Sequence, residues 1–206
     1  MQAFRFKPLI ALAALAALAT AGTVHAAADI GEPAPGFTLT DTSGETHALS
    51  DFEGRTVVLE WTNHQCPFVQ KHYGADNMQE QQRTARDEHD AVWLTVISSA
   101  PGKQGHVSPE KADALTAERN AEPAAVLFDE SGDVGRAYGA RTTPHMYIID
   151  ADGTLVYKGG IDSIQSADPA DIPKADQYVV TALNEMAAGD AISEPVTRPY
   201  GCSIKY

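Results

Sequence analysis

The stretch Thr56–Tyr73, TVVLEWTNHQCPFVQKHY, constrains this chain more than any other. The apolar run Thr56-Val57-Val58-Leu59 reads as a buried strand that continues to Trp61. Pro67 follows Cys66 directly, and a segment of helical character follows the proline. Proline is tolerated at the first helical position, where its missing N–H costs nothing. Cys66 is therefore expected at a helix N-terminus, where free N–H groups and the helix dipole favour an anion. A thiol so placed ionises more easily, and the thiolate is the reactive form. The alternative is that Cys66 is half of a buried structural disulfide.

Cysteine usage sharpens this choice. Among 206 residues there are two cysteines, so the only internal pairing is Cys66 with Cys202, 136 positions apart. Two thiols alone cannot close a zinc site, and one bridge is too sparse to scaffold a chain this long. A Cys66–Cys202 bridge would be either a staple for the tail or half of a redox cycle. Disulfide chemistry requires an oxidising compartment, and the first residues supply one. Arg5 and Lys7 precede an apolar run from Leu9 to Ala21, and Val24-His25-Ala26 is a small-x-small cleavage site. Residues 1–26 read as a secretory signal peptide, too short and alanine-rich to span a membrane. No cysteine follows the cut, so no membrane anchor is expected after its removal. The alanine-rich signal suggests a bacterial source, and export across the inner membrane to the periplasm is the expectation. Removing the signal takes the formal charge from −13 to −15. A chain this acidic, with no basic run, is a poor candidate for nucleic acid or anionic membrane, and neither is expected as a partner.

The remaining pattern alternates strand and helix. Phe37–Leu39 and Thr46–Leu49 flank an Asp-Thr-Ser-Gly turn as an N-terminal hairpin. A helix is expected over Pro67–His72, and a second from Met78 to His89, with Asn77 and Glu80 as a capping box. Ala91–Ile97 is apolar on both faces and suits a central parallel strand. Ser108-Pro109 opens a helix to about Asn120, Ala124–Phe128 is a strand, and Val134–Tyr138 a brief helix. His145–Asp150 and Thr154–Tyr157 form a hairpin across Asp152-Gly153. Gly159–Pro173 is a polar loop, and Lys174–Ala188 is an amphipathic helix. This order predicts an α/β fold: a mixed central sheet flanked by helices, with an extended C-terminal tail. The expected domain spans 29–190, and the tail 191–206 carries Cys202.

With these motifs in place the chain resembles the thioredoxin-like fold, and within it the redoxin branch (alkyl hydroperoxide reductase/thiol-specific antioxidant). The resemblance rests on Asn63-His64-Gln65-Cys66-Pro67-Phe68-Val69 with Lys71-His72-Tyr73, on Thr143-Pro144 before a strand, and on the ending Pro199-Tyr200-Gly201-Cys202-Ser203-Ile204-Lys205-Tyr206. It implies a thiol-dependent oxidoreductase or antioxidant. Cys66 would be the nucleophile, Cys202 the resolving thiol, and a thiol/disulfide protein or a peroxide the partner. It also implies a cis Pro144 beside the cysteine, whose backbone edge docks an extended thiol partner. Asn63, His64, Pro67, Thr143 and Pro144 would form the surroundings of the site. The chain departs from the family at several points. Asn63 stands where a C-x-x-C motif has its first cysteine. Leu59 and Asn63 stand where peroxiredoxins carry Pro and Thr/Ser, and Arg141 is the nearest arginine to Pro144. Full peroxidase chemistry therefore does not carry over.

Other residues carry competing readings. Asn63 would bond the thiolate or fill a turn, His64 would move a proton or face solvent, and Glu60 would relay a proton or lie in the core. Lys71 and His72 lie beyond the first helical turn and are not expected on the cysteine. No cofactor and no metal site are expected. Two further functions remain open. One is a non-catalytic binding domain with a structural Cys66–Cys202 disulfide. The other is a copper-binding redox chaperone using Cys66, His64 and His145. The oligomeric state is open.

Overall fold

The computed structural model describes Met1 and residues 28–206. The signal peptide expected over residues 1–26 lies outside the described residues, apart from Met1. Seven strands form one sheet: β1 Thr38–Asp41, β2 Thr46–Ala48, β3 Val57–Trp61, β4 Val92–Ile97, β5 Ala125–Phe128, β7 His145–Ile149 and β8 Leu155–Gly159. Their order is β2-β1-β5-β4-β3-β7-β8. The three central strands β5, β4 and β3 run parallel, and the outer pairings are antiparallel. A separate two-stranded ribbon joins β6, Thr142–Thr143, to β9, Cys202–Ser203. The helices are α1 Pro67–Gly74, α2 Asn77–His89, α3 Pro109–Glu118, α4 Asp133–Tyr138 and α5 Tyr178–Ala188. Among the described residues no helix is long and apolar enough to cross a membrane.

The central strands are apolar throughout because both faces are covered. Side chains alternate between two clusters. Val58, Trp93, Met146 and Ile148 pack with Val69 and Tyr73 of α1, Met78 and Ala85 of α2, and Val179 and Leu183 of α5. Their neighbours Val57, Leu59, Trp61, Leu94, Tyr147 and Ile149 pack on the other face with Phe37, Leu39 and Tyr138. Burying these side chains stabilises the fold by about 1.5–3 kcal/mol each.

Several boundaries differ from expectation: β1 runs Thr38–Asp41, β2 stops at Ala48, α1 continues to Gly74 and α3 stops at Glu118. The N-cap of α2 is Asp76, in left-handed conformation, not Asn77. Asn77 is instead a buried helical residue whose amide meets His72 Nδ1 at 2.8 Å and Gln177 Oε1 at 3.2 Å. Tertiary partners outcompete the local cap. Helix α5 begins at Tyr178 rather than Lys174. Pro169–Lys174 forms a separate 3₁₀ turn capped by Asp168, and Asp162 bridges to Gln177 beyond it. The hairpin strand also runs on to Gly159, which pairs with Met146 of β7, and the tail lies against it: the Lys158 N–H donates to Pro195 O at 3.0 Å.

Glu60 lies fully buried among the core side chains. Its carboxylate accepts from Tyr73 Oη at 2.9 and 3.0 Å, Trp93 Nε1 at 3.1 Å and Thr95 Oγ1 at 3.2 Å. Burial raises its pKa above the ordinary 4.5, against the lowering effect of the Trp93 and Tyr73 hydrogen bonds. A raised carboxyl pKa means that the folded state holds the proton more tightly than the unfolded chain. Stability is then lost as pH rises above about 4.5. Glu60→Gln should flatten this dependence, as read by urea midpoints measured from pH 4 upward; an unchanged slope would assign the dependence to other groups.

Candidate active site

Strand β3 ends at Trp61 and the chain turns immediately into α1. The turn is closed by Asn63: its Oδ1 accepts from the Gln65 N–H at 2.9 Å, and its backbone carbonyl accepts from the Cys66 N–H at 3.0 Å. Asn63 Nδ2 donates to Gln104 O. One end of the Asn63 side chain is thus engaged in its own turn and the other in the loop after β4, and neither is bonded to the sulfur. Cys66 is the N-cap of α1 with Pro67 as the first helical residue, the placement that the proline requires.

The second wall is the loop before β7. The Thr143–Pro144 peptide is cis. The Cys66 thiol donates to the Thr143 carbonyl at 3.0 Å. The third wall is the tail. Strand β9 pairs antiparallel with β6, setting Cys202 opposite Thr143, and the Cys202 N–H donates to Cys66 Sγ at 3.4 Å. Gly201 makes this approach possible. Its φ is +134°, and a Cβ there would collide with the Thr143 carbonyl. Under this cover Cys66 is fully buried, Cys202 is partly buried, and both are free thiols.

The two thiols have opposite acidities. Burial works against ionisation of Cys66. Hydrogen bonds to its sulfur from the Cys202 side chain, the Val69 and Cys202 backbones and the Thr143 side chain outweigh it, and the pKa falls below 9.0. Burial and the neighbouring Cys66 sulfur push Cys202 up to about 11. Cys66 is therefore the group that carries negative charge first, as a helix N-terminus favours.

Lys71 and His72 do not touch Cys66, but they form a buried cluster beneath the tail that the sequence did not reveal. Lys71 Nζ lies 3.0 Å from Asp162 Oδ2, with both side chains fully buried. Tyr200 donates its hydroxyl to Asp162 Oδ1, and His72 Nε2 stands 3.1 Å from the same hydroxyl. Burial lowers the His72 pKa to about 4, against the raising effect of Asp162, so the ring is neutral near pH 7. Lys71, His72 and Tyr200 all stood in the motifs, but Asp162 lay in a loop with no pattern.

The other expected residues fall outside this contact set. His64 is half-buried; desolvation, Arg119 and Lys111 lower its pKa, and its carbonyl accepts from Arg119 and Gln70. His145 Nδ1 faces the Arg141 N–H and the Tyr147 hydroxyl. Among the described residues, Cys66, His64 and His145 do not gather their donor atoms into a metal-sized group. The Glu60 carboxylate is held by Tyr73, Trp93 and Thr95, away from the sulfur. The Arg141 side chain is exposed, and its carbonyl accepts from the Ile204 N–H of the tail.

The model of the AhpC/TSA family matches residues 30–158, the strands and helices that build the site. The chain belongs to the AhpC/TSA family. The same architecture recurs in solved structures. An uncharacterized conserved protein from Geobacillus kaustophilus is similar at a TM-score of 0.74 and 28% identity, over 86% of this chain and 92% of that one. A hypothetical protein from Sinorhizobium meliloti 1021 is similar at a TM-score of 0.71 and 21% identity, over 88% and 96%. A putative thiol:disulfide interchange protein DsbE from Chlorobium tepidum is similar at 0.50 and 23%, over 64% and 85%. The fold is thioredoxin-like, as the motifs implied. A search of curated proteins finds no match. This AhpC/TSA member extends past the matched region into the tail that closes over Cys66.

Removing the Cys202 thiol donor should shift the acidity of Cys66. Cys202→Ala is expected to raise the Cys66 pKa, read as a shift of the thiolate ultraviolet absorbance to higher pH. An unshifted titration would remove Cys202 as the stabilising partner.

Proposed function

We propose that this protein is an exported thiol-dependent oxidoreductase in which Cys66 attacks and Cys202 resolves. The observation that carries this reading is the approach of Cys202 to Cys66 Sγ across the cis-proline loop. A thiol with a depressed pKa beside one with a raised pKa supports a fixed order of events. The Cys66 thiolate attacks one sulfur of a partner disulfide, forming a mixed disulfide and expelling the partner's other thiolate. Cys202 then loses its proton and attacks the Cys66 sulfur. This closes the Cys66–Cys202 bridge and releases the partner's remaining thiolate. A dithiol reductant would reverse the bridge.

Disulfide exchange is favoured over peroxide reduction by the surroundings of the sulfur. Leu59 is core, Asn63 is committed to its turn, and the Arg141 side chain is exposed. The contacts supplied to Cys66 come from the Thr143 carbonyl and side chain and from backbone and thiol donors. The leader at Arg5–Ala26 supports a periplasmic location, where such exchange operates. In this reading, residues 29–190 are the redoxin domain and residues 191–206 its resolving tail.

Treating the reduced mature protein with stoichiometric glutathione disulfide, and separately with hydrogen peroxide, tests this. Disulfide mapping should show a reversible Cys66–Cys202 bridge, absent in Cys66→Ser and formed faster with the disulfide. A bridge that is already closed and resists mild reductant would make it structural instead.

A further inference from the structure

The tail lies where an extended partner would lie. Ser203 and Cys202 pair antiparallel with Thr142 and Thr143, directly before the cis-proline, as an added strand would. The Ile204 N–H continues the ladder to Arg141 O at 3.0 Å. Two residues ahead of Cys202, the Tyr200 side chain enters a slot made entirely by other segments. Its ring stands edge-on to Phe68 at 5.7 Å. Its hydroxyl meets Asp162, His72 and, at 3.5 Å, Lys71. Asp162 and Lys71 are a buried ion pair, expensive to desolvate and sensitive to losing a hydrogen-bond partner. Lifting the tail would leave a polar slot and an open strand edge on either side of Cys66.

We propose that this slot and edge are a peptide-binding site of which the tail is the resident ligand, and that the competing ligand is an extended cysteine segment with tyrosine two positions before the cysteine. Tyr200 is the positioning residue that holds Cys202 on Cys66 and hides Cys66 from partners. This rests on the reading of Cys66 as the attacking thiol, although its test needs no redox cycle. Attack on the partner's disulfide forms the Cys66–partner bond and expels the partner's second thiolate. Return of the tail then displaces the segment sterically. Attack of the Cys202 thiolate on the Cys66 sulfur breaks the mixed disulfide and releases the partner's cysteine thiolate.

The test uses the full chain carrying Cys202→Ser, so that Cys66 is the sole thiol, and follows its alkylation by iodoacetamide. Adding Tyr200→Phe, which keeps the ring and removes the hydroxyl, should speed alkylation by roughly tenfold or more. The acetylated peptide Pro-Tyr-Gly-Ser-Ser-Ile, added in excess, should slow it again, and the same peptide with phenylalanine for tyrosine should do so less. An unchanged alkylation rate, or equal protection by the two peptides, would overturn the proposal. The unmutated chain gives a second measurement. Its Cys202 and Ile204 amides should exchange with solvent together, and faster than those of Val58 and Leu94. Exchange of all four only together would mean that the tail never lifts alone, and would equally overturn it. If the oxidant experiment fails while the peptides still discriminate, the binding site stands without the redox cycle.

Discussion

The site depends on one close contact: the Cys66 thiol against the Thr143 carbonyl, 3.0 Å away. That contact joins two elements far apart in the chain, the N-terminus of α1 and the loop entering β7. Both are fixed by the same sheet. Strands β3 and β7 are adjacent and antiparallel, with Trp61 opposite His145. The end of β3 that launches the Cys66 loop is therefore level with the start of β7 that carries Thr143 and Pro144. Sheet register, fixed as Val57, Leu59 and Trp61 enter one core cluster and Val58 the other, places the sulfur beside the carbonyl.

The tail uses this junction rather than creating it. It is tied along its whole path. Thr197 Oγ1 accepts from the Gly160 N–H at 2.9 Å, Tyr200 is held in the polar slot, and Tyr206 donates to Ala140 O at 2.7 Å while Arg136 lies over its ring. Glycines mark the closest approaches. A side chain at Gly132 or Gly135 would meet the Tyr206 ring, and one at Gly201 would meet Thr143. The tail is thus a packed part of the fold, which is what gives Cys202 a defined position 136 residues along the chain from its partner.

Two buried charged groups flank α1 and are handled differently. Glu60 has no ionic partner in contact and is met by three neutral donors, so burial raises its pKa. Asp162 is paired with Lys71 and further bonded by Tyr200, so its charge is compensated. The first group fixes α1 to the sheet through Tyr73. The second fixes the tail to α1.

The sequence by itself determined the strand–turn–helix placement of Cys66, because a buried apolar run and an N1 proline are local signals with local causes. It determined the alternation of strands and helices, and, through the family motifs, the thioredoxin-like fold and the cis Pro144 that the structure contains. It also marked Lys71, His72 and Tyr200 without disclosing what they do. Tertiary structure alone decided their partner, because Asp162 sits in a segment without periodicity and becomes significant only when the loop after β8 folds onto α1. It likewise decided that Asn77 would be an interior residue rather than a cap, and that Asn63 would divide its side chain between its own turn and Gln104 of the loop after β4. The meeting of Cys202 with Cys66 is of the same kind. The count of two cysteines named the pair, but only the antiparallel pairing of β9 with β6, permitted by Gly201, brings the Cys202 backbone to the sulfur.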